Sequence, residues 1–175
     1  MTCPLAYIPR SLVELEMLIQ RFAVDKMLGR LATWLRLIGQ DATYGAHLGG
    51  RNLIRHARTE QRTIVTRDGR VRRAATDLPV LFITSDDFRE QLRQVIHARH
   101  LDPFAALFSR CTVCNTAVVG VPKAEVMDAV PPYVFRTQER FVRCPRCQRV
   151  FWAGTHDTRV RQELEAMGFQ KESHP

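Results

Sequence analysis

The sequence predicts an α/β fold: a parallel sheet wrapped by helices on both faces, then a small cysteine-bearing module and a closing helix. Three observations carry this reading. Three short apolar runs each lead to an aspartate: Phe22-Ala23-Val24 to Asp25, Thr63–Thr66 through Arg67 to Asp68, and Val80–Thr84 through Ser85 to Asp86 and Asp87. Between these runs, apolar residues recur at helical spacing. Further along, four of the five cysteines fall into two Cys-x-x-Cys pairs.

The elements follow in order. Residues 1–21 read as an N-terminal extension in which Ser11–Ile19 has the length of a short helix. After the first strand, Met27, Leu28, Leu31, Trp34, Leu35 and Ile38 mark a helix that Gly39 stops. Asp41–Tyr44 reads as a second strand, His47–Gly50 as a loop, and Leu53, Ile54 and Ala57 as a second helix. The Thr63–Thr66 strand comes next, then a short helix through Val71, Ala74 and Ala75, then the Val80–Thr84 strand. Phe88, Leu92, Val95 and Ile96 give a further helix ending near His100. Strands alternating with helices imply parallel pairing. Asp102-Pro103 opens a linker, and strand-like runs follow at Ala117–Val121 and Glu139–Arg143. A last helix spans about Asp157 to Met167, before Gly168. The expected boundaries are therefore 1–21 for the extension, 22–102 for the α/β domain, 103–168 for the cysteine module with its helix, and 169–175 for a tail.

The chain has 175 residues, a net charge of +8 and a pI near 9.8, which point to an anionic partner, nucleic acid first. Arginine carries most of this charge; the lysines are Lys26, Lys123 and Lys171. Its planar fork suits phosphate. No apolar stretch approaches a membrane span, and the N-terminus lacks a basic region followed by an apolar core, so the expectation is a cytoplasmic protein. The apolar first helix can support a homodimer.

Cys111-x-x-Cys114 and Cys144-x-x-Cys147 are separated by 29 residues. Each pair can form a tight turn, and two turns supply the four thiolates of a closed tetrahedral zinc site. Four ligands leave no open position, so such a zinc folds the module and does not catalyse. Asn115 and Pro145 suit the turns, and the long separation implies a zinc ribbon with an inserted segment at Lys123–Pro132. A redox role is weaker, because neither pair opens a helix after a strand. Cys3 is left over. Arg110, Arg143, Arg146 and Arg149 surround the cysteines among Phe141, Phe151 and Trp152. Those aromatics serve either as the ribbon's core or as a stacking surface for bases.

If the three aspartate-ended runs are neighbouring parallel strands, Asp25, Asp68 and the Asp86/Asp87 pair meet at one carboxyl edge, where open α/β folds bind ligands. Converging carboxylates repel one another, which makes sense around a hard cation such as magnesium or manganese. Each aspartate also has a simpler reading as a helix cap, and Thr84-x-x-Asp87 fits a capping box. A basic surround of Lys26, Arg30, Arg36, Arg67, Arg70, Arg72 and Arg73 would draw in a polyanion. His47, His56, His97, His100 and His174 show no ligand spacing, whereas His156 stands where the ribbon passes into the last helix.

The segments FAVDKMLGRLATWLRLIGQDATY, TIVTRDGRV, LFITSDDFREQL, SRCTVCN, VPPYVF and FVRCPRCQRVFWAGTH follow in order. Together they resemble the PIN-like RNase domain first named for the C-terminal part of the Mut-seven exonuclease, with its attached zinc ribbon. The likeness spans roughly Phe22 to Leu164. It implies a three-layer α/β/α PIN-like domain and metal-dependent RNase activity, with Asp25, Asp68, Asp86 and Asp87 at the acidic positions. Relatives carry acidic residues at the start of the second helix, where this chain has Gly49-Gly50-Arg51-Asn52, and Asp41 is the nearest substitute. Some relatives carry a ubiquitin-like domain before the PIN-like part, and residues 1–21 are too short to hold one.

The expected function is hydrolysis of RNA phosphodiester bonds by a magnesium or manganese site of Asp25, Asp68, Asp86 and Asp87. A structural zinc would sit on Cys111, Cys114, Cys144 and Cys147, and RNA on Lys26, Arg30, Arg67, Arg70, Arg72, Arg73 and Arg146. The alternative is a zinc-ribbon protein that binds RNA or ribosomes without turnover. A phosphatase with an aspartate nucleophile ranks last, because Met27 stands where it would want a second aspartate.

Overall fold

Arg21–Val24 (β1), Asp41–Thr43 (β2), Thr63–Thr66 (β3) and Val80–Phe82 (β4) form one fully parallel sheet in the order β2-β1-β3-β4. The computed structural model describes residues 18–170, and of Thr155 and His156 the backbone alone. Cys3, Lys171, His174 and most of the helix expected over Ser11–Ile19 lie outside the described residues. The chain divides into two compact units at Asn115–Thr116.

The first unit holds the parallel sheet and the helices Gly29–Leu37 (α1), Gly50–Glu60 (α2), Gly69–Ala74 (α3) and Phe88–Arg99 (α4). β3 is buried along its length and β1 over its last three residues, as strands covered on both faces must be. Ala23 and Ile64 join Leu53, Ile54 and Ala57 of α2 and Val71 of α3 in one apolar cluster. Phe22 and Val24 have the opposite parity, so they face the other way. Helices α1 and α4 pack on each other, with Leu31, Leu35, Leu92 and Val95 fully buried. The apolar face of α1 that suggested a homodimer is thus used within the chain.

The helix ends show how local chemistry sets the boundaries. Gly39 ends α1 with φ +85°, and Gln40 N–H donates to the Leu35 carbonyl at 2.8 Å while Gly39 N–H donates to Arg36 at 3.0 Å. This doubly bonded stop needs a residue free to turn left-handed. A Cβ at Gly39 would also lie 2.2 Å from the Ala106 carbonyl oxygen. At α4 the capping residue differs from expectation. Asp87 is the N-cap, accepting from Arg89 N–H at 2.9 Å and Glu90 N–H at 3.2 Å. The helix begins at Phe88 and leaves Thr84 outside it, so the cap is Asp87 alone, whose own N–H donates to Ser85 Oγ at 3.1 Å.

At the amino edge of the sheet, buried Arg62 holds Asp41 through two bonds of 2.6 and 3.2 Å and reaches Glu60 at 2.7 Å. Burial works to raise the Asp41 carboxyl, but hydrogen bonds from Arg62 and Asn115 and the charges of Arg62 and Arg110 carry it below the ordinary 3.8. Asp41 therefore cannot stand in for a ligand at the carboxyl edge: it sits at the start of β2, on the opposite side of the sheet.

The second unit contains Val119–Val121 (β5), a 3₁₀ turn over Lys123–Ala129, Pro132–Thr137 (α5), Phe141–Arg143 (β6), Val150–Trp152 (β7) and Thr155–Ala166 (α6). Its sheet is antiparallel in the order β5-β6-β7. Val126, Val130 and Phe141 form its core, with Val121, Val134, Phe135 and Val150 packed on them. The segment expected as an insertion thus supplies core residues to a ribbon otherwise too small to bury much. Phe141 has the structural role weighed for it, whereas Trp152 is 37% exposed. None of the helices described is long and apolar enough to cross a membrane.

The depressed Asp41 carboxyl fixes the sign of one prediction. Its contribution is complete above the ordinary 3.8 and is lost as pH falls through the lower folded value. Asp41→Asn should cost on the order of 3 kcal/mol at neutral pH and flatten the loss of stability in acid. Thermal melts across the acid range, on both proteins, read this directly.

Candidate functional site

The chain order places a switch point between β1 and β3. After β1 the chain crosses to β2 on one side, and β3 then joins β1 on the other. A crevice opens at the carboxyl ends of strands that diverge in this way. Asp25 follows β1 there and Asp68 follows β3.

Asp25 extends the ladder by one bond, its N–H donating to the Val65 carbonyl at 2.9 Å. Its side chain is 2% exposed. Thr66, fully buried at the end of β3, donates its hydroxyl proton to Asp25 Oδ2 at 2.5 Å. The same hydroxyl oxygen accepts from Asp68 N–H at 3.0 Å. One threonine therefore links the two strand ends. Asp25 Oδ1 makes no hydrogen bond among the described residues, yet no buried side-chain oxygen among them lacks a partner. The lone pairs of Oδ1 are therefore not committed to a protein donor among the described residues. Asp68 caps α3, accepting from Arg70 N–H with Oδ1 at 2.8 Å and leaving Oδ2 without a bond.

The other two aspartates stand apart in role. Asp86 is 88% exposed at its side chain and pairs with Arg67. Asp87 is engaged as the α4 cap. The four carboxylates do not close into a metal-sized cluster. Among the described residues, the four cysteines are the one group of three or more acidic, histidine or cysteine ligands that gathers this closely. At the start of α2 the cap is Gly49, Gly50 has φ +52°, and Arg51 and Asn52 are exposed. A Cβ at Gly49 would lie 3.1 Å from the Lys26 stem, so Lys26 runs across the place where relatives have an acidic helix start.

The cations divide. Lys26, Arg70, Arg72, Arg73 and Arg146 are exposed, and Arg67 is half-buried beside Asp86. Arg30 lies 3.5 Å above the centre of the Phe88 ring, which Arg89 approaches at 4.8 Å and Trp34 stacks on at 5.7 Å. Arg72 lies 5.0 Å above Phe82. Arg36 does not belong to this rim. It is buried, donating to the carbonyls of Ala42 at 2.8 Å, Thr112 at 2.9 Å and Val113 at 3.1 Å. Helical periodicity places Arg36 on the inner face of α1, which closeness in sequence to Lys26 and Arg30 does not convey. Burial lowers its guanidinium below the ordinary arginine range, against the pull of Cys111 and Cys114 and of Asp41. His56 bonds the Thr43 hydroxyl at 2.9 Å, and the side chain of His156 lies outside the described residues.

Cys111, Cys114, Cys144 and Cys147 bring their sulfurs within 4.8 Å of one another. A zinc at its usual ~2.3 Å from four sulfurs needs them about 3.8 Å apart, so this set fits and could hold a zinc ion. Each turn is closed by a residue in the left-handed region. Asn115 (φ +66°) donates its N–H to the Cys111 carbonyl and Gln148 (φ +60°) its N–H to the Cys144 carbonyl, both at 2.9 Å. Thr66 escaped the sequence reading as a site residue, and Arg36 was placed there on the basic rim. Thr66-x-Asp68 carries the signal of a hydroxyl that bonds the backbone two residues on.

The family model for the Mut7-C RNAse domain matches residues 20–164, and the chain belongs to that family. No curated protein and no solved structure matches it. The sulfur geometry predicts about one zinc per purified chain, lost when Cys111 or Cys144 is changed to serine; elemental analysis checks the ratio.

Proposed function

We propose that this protein is a metal-dependent ribonuclease whose reaction centre lies at the β1/β3 switch point. The observation that carries the proposal is the Asp25–Thr66–Asp68 linkage, which leaves one carboxylate oxygen on each aspartate without a hydrogen bond among the described residues. Membership of an RNase domain family supports it. Magnesium or manganese, when bound, would supply an activated water and offset charge on the phosphate. Asp25 Oδ1 and Asp68 Oδ2 would hold the ion, with Asp86 and Asp87 contributing directly or through water. Thr66 fixes the orientation of Asp25 by occupying its second oxygen.

Around the centre, Lys26, Arg67, Arg70, Arg72 and Arg73 would hold the phosphates flanking the scissile bond, with Arg30 and, in the ribbon, Arg146 contributing further. Arg73 Nη1 lies 3.4 Å from where a Cβ at Gly69 would be, so this cation folds back over the first turn of α3, next to Asp68. The zinc folds the ribbon and takes no part in the chemistry. Cysteines serving as metal ligands suit a cytoplasmic setting.

One observation favours a second reading, an RNA-binding protein without turnover: the start of α2 offers no carboxylate. The two readings separate in one assay, cleavage of mixed cellular RNA with magnesium, manganese or chelator. Metal-dependent cleavage that Asp25→Asn lowers by on the order of a hundredfold supports the nuclease. Cleavage unchanged in Asp25→Asn and Asp68→Asn, or none with either metal, defeats it. Thr66→Val should lose about 10–100-fold and Thr66→Ser should keep most of the rate. Arg70→Gln should weaken RNA binding regardless of sequence and reduce its salt dependence by about one phosphate contact, measured by titration at several salt concentrations.

A further inference from the structure

The two cysteine turns share a backbone shape and differ in what anchors them. In the second, the Gln148 side chain closes locally, donating to the Pro145 carbonyl at 2.7 Å. In the first, Asn115 reaches out to the parallel sheet. Its Oδ1 accepts from Ala42 N–H at 3.0 Å and its Nδ2 donates to Asp41 Oδ1 at 2.6 Å. Arg110 donates to the Asn115 carbonyl at 2.7 Å. Arg36 meanwhile donates to both residues between the cysteines, Thr112 and Val113, and to the Ala42 carbonyl.

Two physical features follow. Ala42 sits on edge strand β2, where an unpaired N–H and carbonyl would face outward. Both are taken, the N–H by Asn115 and the carbonyl by Arg36, so the first turn occupies the place of a further strand. Arg36 is also a cation with 6% exposure that makes no ion pair with a carboxylate among the described residues. A buried charge without compensation is costly. The charges that favour its ionised form are those of Cys111 and Cys114, then Asp41, and four thiolates would outweigh one zinc.

We infer that Arg36 and Asn115 are positioning residues of the zinc site: they hold the first Cys-x-x-Cys turn in its ligating shape as an outgrowth of β2, so this half of the site is preformed and the α/β unit sets how tightly the metal is held. The inference rests on zinc being the resident ion. Arg36 acts on the turn through its carbonyls and on the metal site through its charge. Asn115 acts through the turn's closing residue. Gln148, bonded within its own turn, has no such connection.

The test uses the full zinc-loaded chain and compares Arg36→Gln, Arg36→Lys, Asn115→Gly and Gln148→Gly. Glycine keeps the left-handed backbone at 115 and 148 while removing the side chain. Zinc affinity is read by competition with a chromophoric chelator, and melting temperature with and without zinc. Arg36→Gln and Asn115→Gly should each weaken zinc binding about 10–100-fold and shrink the rise in melting temperature that zinc produces. Arg36→Lys should recover part of the loss, and Gln148→Gly should change affinity less than about threefold. Equal lowering of both melting temperatures with affinity unchanged would overturn the inference, because these residues would then stabilise the fold alone. A loss as large in Gln148→Gly would overturn it too. A wild-type chain that binds no zinc would instead remove the zinc reading beneath it. Should Arg36→Gln fail to fold, Asn115→Gly carries the test.

Discussion

The parallel pairing of β1 with β3 fixes everything at the carboxyl edge. Phe22, Ala23 and Val24 lie beside Thr63, Ile64 and Val65, and this register sets Asp25 next to Thr66. Because strand side chains alternate faces, a slip of one residue would turn Ala23 out of its cluster and carry Asp25 away from the threonine hydroxyl. The register is held by burial: β3 has no exposed residue, and neither do the last three of β1. The reacting edge is therefore positioned by the apolar core and not by attraction among its carboxylates. The backbone register brings Asp25 and Asp68 to either side of Thr66, while Asp86 and Asp87 stand apart from them.

The opposite edge of the same sheet has a separate task. Arg62 and Asp41 close the amino end of β1 and β2, and Asp41 also accepts a hydrogen bond from the Asn115 amide. Arg36 comes to the same strand from α1. The α/β unit thus bears acidic strand ends on one edge and the first cysteine turn beside β2. A substitution in β2 or at the end of α1 is expected to act on the metal turn, whereas one in the Thr66–Asp68 segment acts on the crevice. The proposed reaction centre and the cysteine turn would thus draw on different parts of the same sheet.

The strands and helices were legible because their signals are local and repeated. Helical spacing marked α1 and α4, Gly39 marked the end of α1, and the cysteine pairs marked the ribbon. What escaped was decided by tertiary choices. Thr84 and Asp87 are both good caps, and only the start of α4 at Phe88 selects Asp87. Arg36 looked like a rim cation because its neighbours in sequence are basic, but it lies on the face of α1 that points inward. The apolar stripe of α1, read as a dimer surface, is matched by α4, which sequence spacing alone does not reveal. Asp25 and Asp68 stand just past β1 and β3 as expected, whereas β4 stops at Phe82, well short of Asp86 and Asp87; Thr66, which joins the first two, entered the reading only as the end of a strand.

The start of α2 decides how the proposed centre must work. That start carries Gly49 and Gly50 and no acid, and the Lys26 stem lies across Gly49. A hard divalent ion tolerates such a loss because it keeps several waters and needs only one or two carboxylates from the protein, the remaining oxygens coming from substrate phosphate. On the proposed reading Asp25 and Asp68 would supply that minimum, each having one oxygen without a hydrogen bond among the described residues. The lysine then changes the balance of the site: fewer negative groups hold the metal, and more positive ones face the RNA. On the proposed reading, metal and RNA binding become strongly cooperative, since the phosphate completes a coordination shell the protein leaves unfinished. The same substitution that seems to remove a ligand would make the metal's residence depend on the substrate being present.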